Sequence, residues 1–312
     1  MHRALAIVFA LVLGACGGAV VEGDPVTTPS PDSTTTTTPA ETTSTVVGPG
    51  ETTIPGPSTS STSPSDKAAV TVYFLAEGGD TAGRRGPFLI PVHREIDATV
   101  AVARAAINEM LDGPEGREVP AGMSSAIPDN TILLGLSIDG GVATIDLSRE
   151  FESGGGSFSM LARIAQVVYT LTQFDTVDSV LFQLDGRPVT VFGGEGLVLG
   201  SPATRADYLD LVPTIMVESP AWGAEVRSPV RVTGTAAVFE AVFQIEITDE
   251  DGKVLVSPDF VMTDEGQGWG KFDFTLSFDV DDHQPGFLRV WEYSAEDGSE
   301  QAVRVYEIDL RP

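Results

Sequence analysis

The 312 residues contain one cysteine, Cys16. That leaves no intrachain disulfide and no zinc site built on several cysteines. Positive charge is also scarce, with 18 Lys+Arg against 45 Asp+Glu and a formal net charge of −27. The deficit runs through the chain: residues 68–212 carry 19 acids and 9 bases, and residues 213–312 carry 20 acids and 7 bases. Both parts should repel phosphate backbones and anionic headgroups, so nucleic-acid partners are disfavoured and membrane attachment cannot rest on a basic face. Aromatic residues make up only 7% of the chain, too few to mark a sugar-binding platform. Long apolar runs are missing too. Residues 4–13 are apolar, but a spanning helix needs roughly 20 such residues.

What that short run does offer is an export signal. Met1-His2-Arg3 supplies one fixed positive charge, residues 4–13 supply the apolar core, and small residues precede Cys16. Leu13-Gly14-Ala15-Cys16 resembles the lipobox of bacterial lipoproteins. The resemblance implies a lipoprotein signal peptide over 1–15, acylation (palmitate) of Cys16, and a protein anchored on the outer face of the cytoplasmic membrane. Loss of residues 1–15 removes Arg3 and no acid, which leaves 17 − 45 = −28. An ordinary signal peptide that leaves a spare cysteine is the alternative.

Residues 16–67 are dominated by Thr, Ser and Pro, and residues 17–67 hold no Leu, Phe, Met, Trp or Tyr. Such a segment cannot bury enough apolar surface to offset its ordering entropy, so it is expected to be a disordered tether. Between Asp24 and Asp66 it would reach roughly 35–40 Å as a flexible coil. Its composition also suits an O-glycosylated stalk.

From residue 68 to 202 the pattern predicts an α+β domain. Strands are predicted at 69–75 and 88–95, with Pro91 placing the second at an edge or bulge. A helix is predicted over 99–111, capped by Asp97 and carrying Val100, Ala103, Ala106/Ile107 and Met110/Leu111 on one face. A hairpin follows over 132–147 with Asp139-Gly140-Gly141 at its turn. Ser157 then caps a helix that runs to about Phe174. Strands at 177–184 and 188–192 flank Asp185-Gly186. This β-β-α-β-β-α-β-β order suits one mixed sheet with two helices on one face. Beyond Pro213, helical spacing stops and about seven short strands follow in 100 residues, the pattern of an all-β immunoglobulin-like sandwich over 213–312.

Several short motifs of the middle segment occur in a family-like order. They include the strand Val70–Leu75, Pro91-Val92, Leu111-Asp112-Gly113-Pro114, Ile127-Pro128-Asp129-Asn130-Thr131, Asp139-Gly140-Gly141-Val142-Ala143, Asp146-Leu147-Ser148 with Phe151, and Val191-Phe192-Gly193-Gly194. In these the segment resembles the GerMN domain of spore germination proteins. The later runs Ile215-Met216-Val217-Glu218-Ser219-Pro220 and Ser228 to Ala236, with Gly270-Lys271-Phe272 and Ala295 to Ser299, resemble the immunoglobulin-like module that often follows that domain. GerMN-type domains look similar to ring-building motifs, units that pack side by side in envelope assemblies. The resemblance implies such a core over 99–184. It brings no catalytic residues, and GerM itself has two such domains where this chain has one.

Candidate chemistry is sparse. The histidines beyond the signal are His93 and His283, and no Gly-x-Ser-x-Gly elbow accompanies them. Gly154-Gly155-Gly156-Ser157 could cradle an anion at a helix start but lacks a P-loop's Gly-Lys-Ser/Thr; a loop with a cap is the simpler reading. Asp279, Asp281 and Asp282 could gather calcium without the full ligand spacing, and Asp249-Glu250-Asp251-Gly252 reads as a turn. Trp222, Trp269 and Trp291 all fall in the sandwich, and any exposed one is a contact candidate. The reading is therefore a non-enzymatic binding or assembly module with no catalytic residue, cofactor or metal. It would be held to the membrane through lipid on Cys16, with an envelope protein or the cell wall as partner, possible homo-oligomerisation and no nucleic acid. A cell-wall-active enzyme or carbohydrate binder is the alternative, and an accessory to a membrane sensor or transporter a further one.

Overall fold

The structure is a computed structural model that describes residues 67–312, apart from Gly79, 81–83, Glu195 and Gln267. The expectations for the signal, Cys16 and the tether fall outside the described residues.

Strands β1 (Lys67–Ala76) and β2 (Phe88–Asp97) pair antiparallel along their full lengths, and β3 (Met123–Ser124) adds at the far end of β1. Helix α1 (Val102–Asp112) buries Ala106, Ile107 and Met110. Strands β4 (Leu133–Asp139), β5 (Val142–Leu147), β6 (Ser179–Leu184) and β7 (Arg187–Pro188) form a mixed sheet in that order, parallel only between β5 and β6. Helix α2 (Ser157–Leu171) connects β5 to β6, as a parallel crossover requires. Strands β8 (Val191–Phe192) and β9 (Leu197–Val198) form a small hairpin. The α+β class and the mixed sheet hold, but β1 and β2 lie in a separate three-stranded sheet.

Helix α2 explains that arrangement. It is buried all round, from Met160 to Leu171, apart from half-buried Leu161. Beyond β3, the second edge of β1 is completed by side chains of this helix in place of a strand. Tyr73 N–H donates to Thr170 Oγ1 at 3.3 Å and Thr71 N–H to Gln173 Oε1 at 2.8 Å. Gln166 Nε2 donates to the Tyr73 carbonyl at 2.9 Å. Gln166 and Thr170, spaced i, i+4 on the helix, and Gln173, two residues past its end, thus bond along the strand.

Local boundaries differ from the sequence reading at both helices. Asp97 does not cap α1; it ends β2 and pairs with Lys67 at 2.7 Å, while Ala101 occupies the cap position without a side-chain bond. Val100 therefore precedes the helix and is exposed. At α2, Gly156 takes the cap position, Ser157 is the first helical residue, and the helix ends at Leu171, short of Phe174. The strand expected over 188–192 is divided between β7 and β8. The two predicted turns are as expected: Gly140 and Gly141 have φ of 54° and 84°, and Asp185 and Gly186 have φ of 48° and 74°. That left-handed backbone is natural to glycine.

A 3-10 segment, Arg205–Leu211, closed at its start by reciprocal Thr204 and Asp207 bonds, leads into the second part. There β10 (Ile215–Ser219), β12 (Val230–Ala236) and β16 (Gly270–Leu276) form one sheet. Strands β11 (Glu225–Arg227), β18 (Glu300–Arg311), β17 (Gln284–Tyr293), β13 (Val242–Asp249) and β14 (Val254–Val256) form the other, with β15 (Val261–Met262) also on β13. Alternation places Phe243, Ile245, Ile247, Leu288, Val290, Tyr306 and Ile308 in the core between the sheets. The Val217 N–H donates to Tyr306 Oη at 3.0 Å, tying the sheets together, and burial pushes that phenol up to about 12. The described residues from 67 to 312 fall in one compact unit, and a hydrophobic core runs through both parts.

Candidate functional site

The seam between the α+β domain and the sandwich is crossed by backbone hydrogen bonds and by four arginines. Trp222 is the hinge pin. Its N–H donates to the Pro91 carbonyl at 3.0 Å, and its carbonyl accepts from the His93 N–H at 2.9 Å. The free edge of β2 thereby continues into the second domain. The indole is 6% exposed, with the Arg117 guanidinium 5.7 Å from its centroid. Arg117 also pairs with Glu307, and with Asp309 at 3.2 Å, on β18.

Three further arginines cross the seam. Arg84 donates to the carbonyls of Asp210 and Val212 at 3.0 and 2.9 Å, and pairs with Asp80 at 3.0 Å. Asp80 in turn accepts from the Thr214 N–H at 2.8 Å. Arg205 pairs with Glu218 at 2.7 Å and donates to Thr172 Oγ1 at 2.7 Å, with its guanidinium 4.7 Å from the Tyr169 ring. Burial, with Glu218 adding to it, holds the Tyr73 and Tyr169 phenols well above the ordinary tyrosine range against the pull of Arg205. Arg304 and Arg84 both lie over Phe88, at 4.9 and 5.1 Å.

A groove of about 770 Å³ runs beside this seam. Tyr169, Thr172 and Arg205 form one wall; Arg231, Thr233, Thr235, Lys271 and Asp273 on the sandwich form the other, with Trp269 lining it. Arg231 and Asp273 face each other in a two-pronged pair at 2.8 and 2.5 Å. Hydroxyls, paired planar charges and a half-buried indole can bond polar ligands from several sides.

The residues singled out in the sequence fall apart in space. His93 belongs to the seam: burial, with Arg94 adding, lowers its pKa below 6.5, while Glu95 and Glu225 pull the other way. His283 is exposed, in a pocket with Asp249, Glu250, Asp279, Asp281 and Asp282. Among the described residues no cluster of three or more His, Cys, Asp or Glu is placed to hold a metal. The glycine run is bound from within. Arg163, 2% exposed, donates to the carbonyls of Phe151, Ser153 and Gly154 at 2.6, 3.0 and 3.1 Å. At Gly155, φ 81°, a Cβ would crowd Ser159 and Arg163. Of the tryptophans, Trp222 and Trp291 are buried and Trp269 is half-buried. The seam arginines escaped the sequence reading because isolated arginines look like ordinary solvated charge.

Among curated proteins none matches the chain. Among solved structures, the first GerMN domain of the sporulation protein GerM from Bacillus subtilis is 22% identical, with a TM-score of 0.37, covering 45% of this chain and 99% of that one. The tandem GerMN domains of the same protein are 18% identical, with a TM-score of 0.39; the match covers 69% of this chain and 63% of that one. Two family models match in succession. Residues 71–190 match Germane, described as sporulation and spore germination, and residues 214–299 match Gmad2, the immunoglobulin-like domain of bacterial spore germination.

Proposed function

We propose that this protein is a lipid-anchored envelope lipoprotein that acts as a non-enzymatic binding or assembly module outside the cytoplasmic membrane. The observation that carries this reading is the seam. Backbone bonds at Trp222 and four arginines fix the two domains as one body. A fixed body suits a scaffold that holds surfaces at set spacing, whereas hinged domains suit closure around a substrate. Leu13-Gly14-Ala15-Cys16 supports attachment by lipid on Cys16, in a multiply acylated form because one acyl chain binds only marginally. Cys16→Ala should move the protein from the membrane to the soluble fraction with both domains folded; continued membrane retention would contradict the anchor. Crosslinked envelopes should yield a protein or wall partner, and their failure to do so would count against the module.

The groove favours a second reading, a binder of cell-wall carbohydrate. Trp269 offers a stacking face, and Thr233, Thr235 and the Arg231–Asp273 pair offer hydroxyl-matching bonds. Calorimetric titration with peptidoglycan fragments decides it: heat that disappears in Trp269→Ala supports a glycan site, and no heat at millimolar fragment rejects it.

A further inference from the structure

The sandwich leaves one face bare, and its chemistry names a partner. Phe239, Phe260, Met262 and Tyr293 are 63, 55, 55 and 51% exposed. Register brings them together. Met262 lies opposite Val242, and Trp291 lies opposite Gln244, so Val242 and Tyr293 stand two residues further along the same pair of strands. Alternation puts Met262, Trp291 and Tyr293 on the outer side, since Phe243, Ile245 and Val290 face the core, and exposed Phe260 sits just before β15. Phe239 stands exposed in the turn just before β13, and its N–H donates to Glu292 Oε2 at 3.2 Å.

The patch is held in place. Trp291 lies edge-on to Tyr293, with ring centroids 6.4 Å apart. The Arg289 guanidinium sits 4.2 Å from the Trp291 centroid and is tied to Glu246 and Glu300. Glu240 and Ala241, just after Phe239, and Ala302, where the ladder slips beside Trp291, adopt φ of 55°, 60° and 54°. Such backbone is costly for residues with a Cβ and persists where surroundings enforce it. Exposed aromatic and methionine side chains over a fixed Trp–Arg stack match the composition of protein interface centres.

Charge selects among possible occupants. Exposed acids surround the patch in sequence and register: Glu240, Asp259, Asp264, Glu296, Asp297 and Glu300. A second copy would bring the same acids against them. The chain's own residues 17–66 carry six acids and no base, and none of the large apolar side chains that would fill such a surface. Anionic lipid is repelled likewise. We infer that the outer face of the β13–β17 region docks a separate protein with an apolar centre and a lysine- or arginine-rich rim.

This rests on the binding-module reading, and the test separates the two. A photoreactive phenylalanine analogue is placed in the full chain, in cells, at Phe239, Met262 or Tyr293, with Ile138 of the first domain as control. The expected result is one protein adduct from the three patch positions, about tenfold above the control. The crosslinked partner peptide should contain apolar residues flanked by Lys or Arg, and yield should fall in high salt. Tyr293→Asp should abolish the adduct at position 262 while leaving the melting temperature unchanged. No adduct at the patch, or adducts to lipid, to a second copy or to residues 17–66, would overturn the inference. An adduct from Ile138 alone would overturn this surface and leave the binding-module reading standing.

Discussion

The two sheets of the sandwich meet their surroundings in opposite ways. Strand β10 is buried on both faces: Ile215, Met216 and Val217 are at most 1% exposed, because the α+β domain packs on the side that the core does not use. Across the sandwich, the outer side of β15, β13 and β17 carries Met262 and Tyr293 more than half exposed. Both regions are apolar strands. The difference is the partner: β10 has its partner in the same chain, and the outer side of β15, β13 and β17 displays similar chemistry with none among the described residues. A seam rich in arginine joins what the chain keeps together, and an acid-rimmed aromatic patch marks what it leaves open.

Breaking the covered side should have the largest effect. Trp222→Ala removes a buried indole and the face on which Arg117 lies, and should cost about 3–5 kcal/mol. Calorimetry should then resolve two unfolding transitions where the native chain gives one. Arg205→Met leaves Glu218 and Thr172 without their partner and should cost about 1–3 kcal/mol, seen as a lower midpoint in urea. The pH dependence of the seam should be smaller. The folded-state pKa of His93 lies below 6.5, so as pH falls through 6.5 the unfolded chain takes the proton first. Its contribution to stability is complete above that pH and declines as pH falls toward the folded value. Native protein should thus lose more stability than His93→Asn over this step; equal losses would place His93 outside the seam's energetics. The bare side should respond least. Phe239→Ser should change stability by no more than about 0.5 kcal/mol, and a larger loss would mean that Phe239 packs within the fold.

Much of this architecture was legible in the sequence because period and turn chemistry are local. The hairpin at Gly140-Gly141 and the seven main sandwich strands follow from alternation and left-handed glycines. Helix α2 was legible as a helix but not as a central one. Gln166, Thr170 and Gln173 look like a polar face, and only the structure shows that face spent on the open edge of β1. The separate β1–β2 sheet is hidden for the same reason, since its missing neighbour is a row of side chains. The seam was illegible because Arg84, Arg117 and Arg205 act through residues about 13 to 190 positions away in sequence. The exposed patch was hidden by alternation itself, which assigns apolar strand residues to a core without saying which face is covered.

The two domains present their surfaces as one body, and amide hydrogen exchange reports whether they open separately. The N–H groups of His93 and Trp222 close the seam. They should exchange as slowly as those of β5 and β17, since only global opening would free them. Exchange at those two amides on the timescale of exposed loops, with the strand cores still protected, would mean that the domains hinge freely and that the seam does not hold.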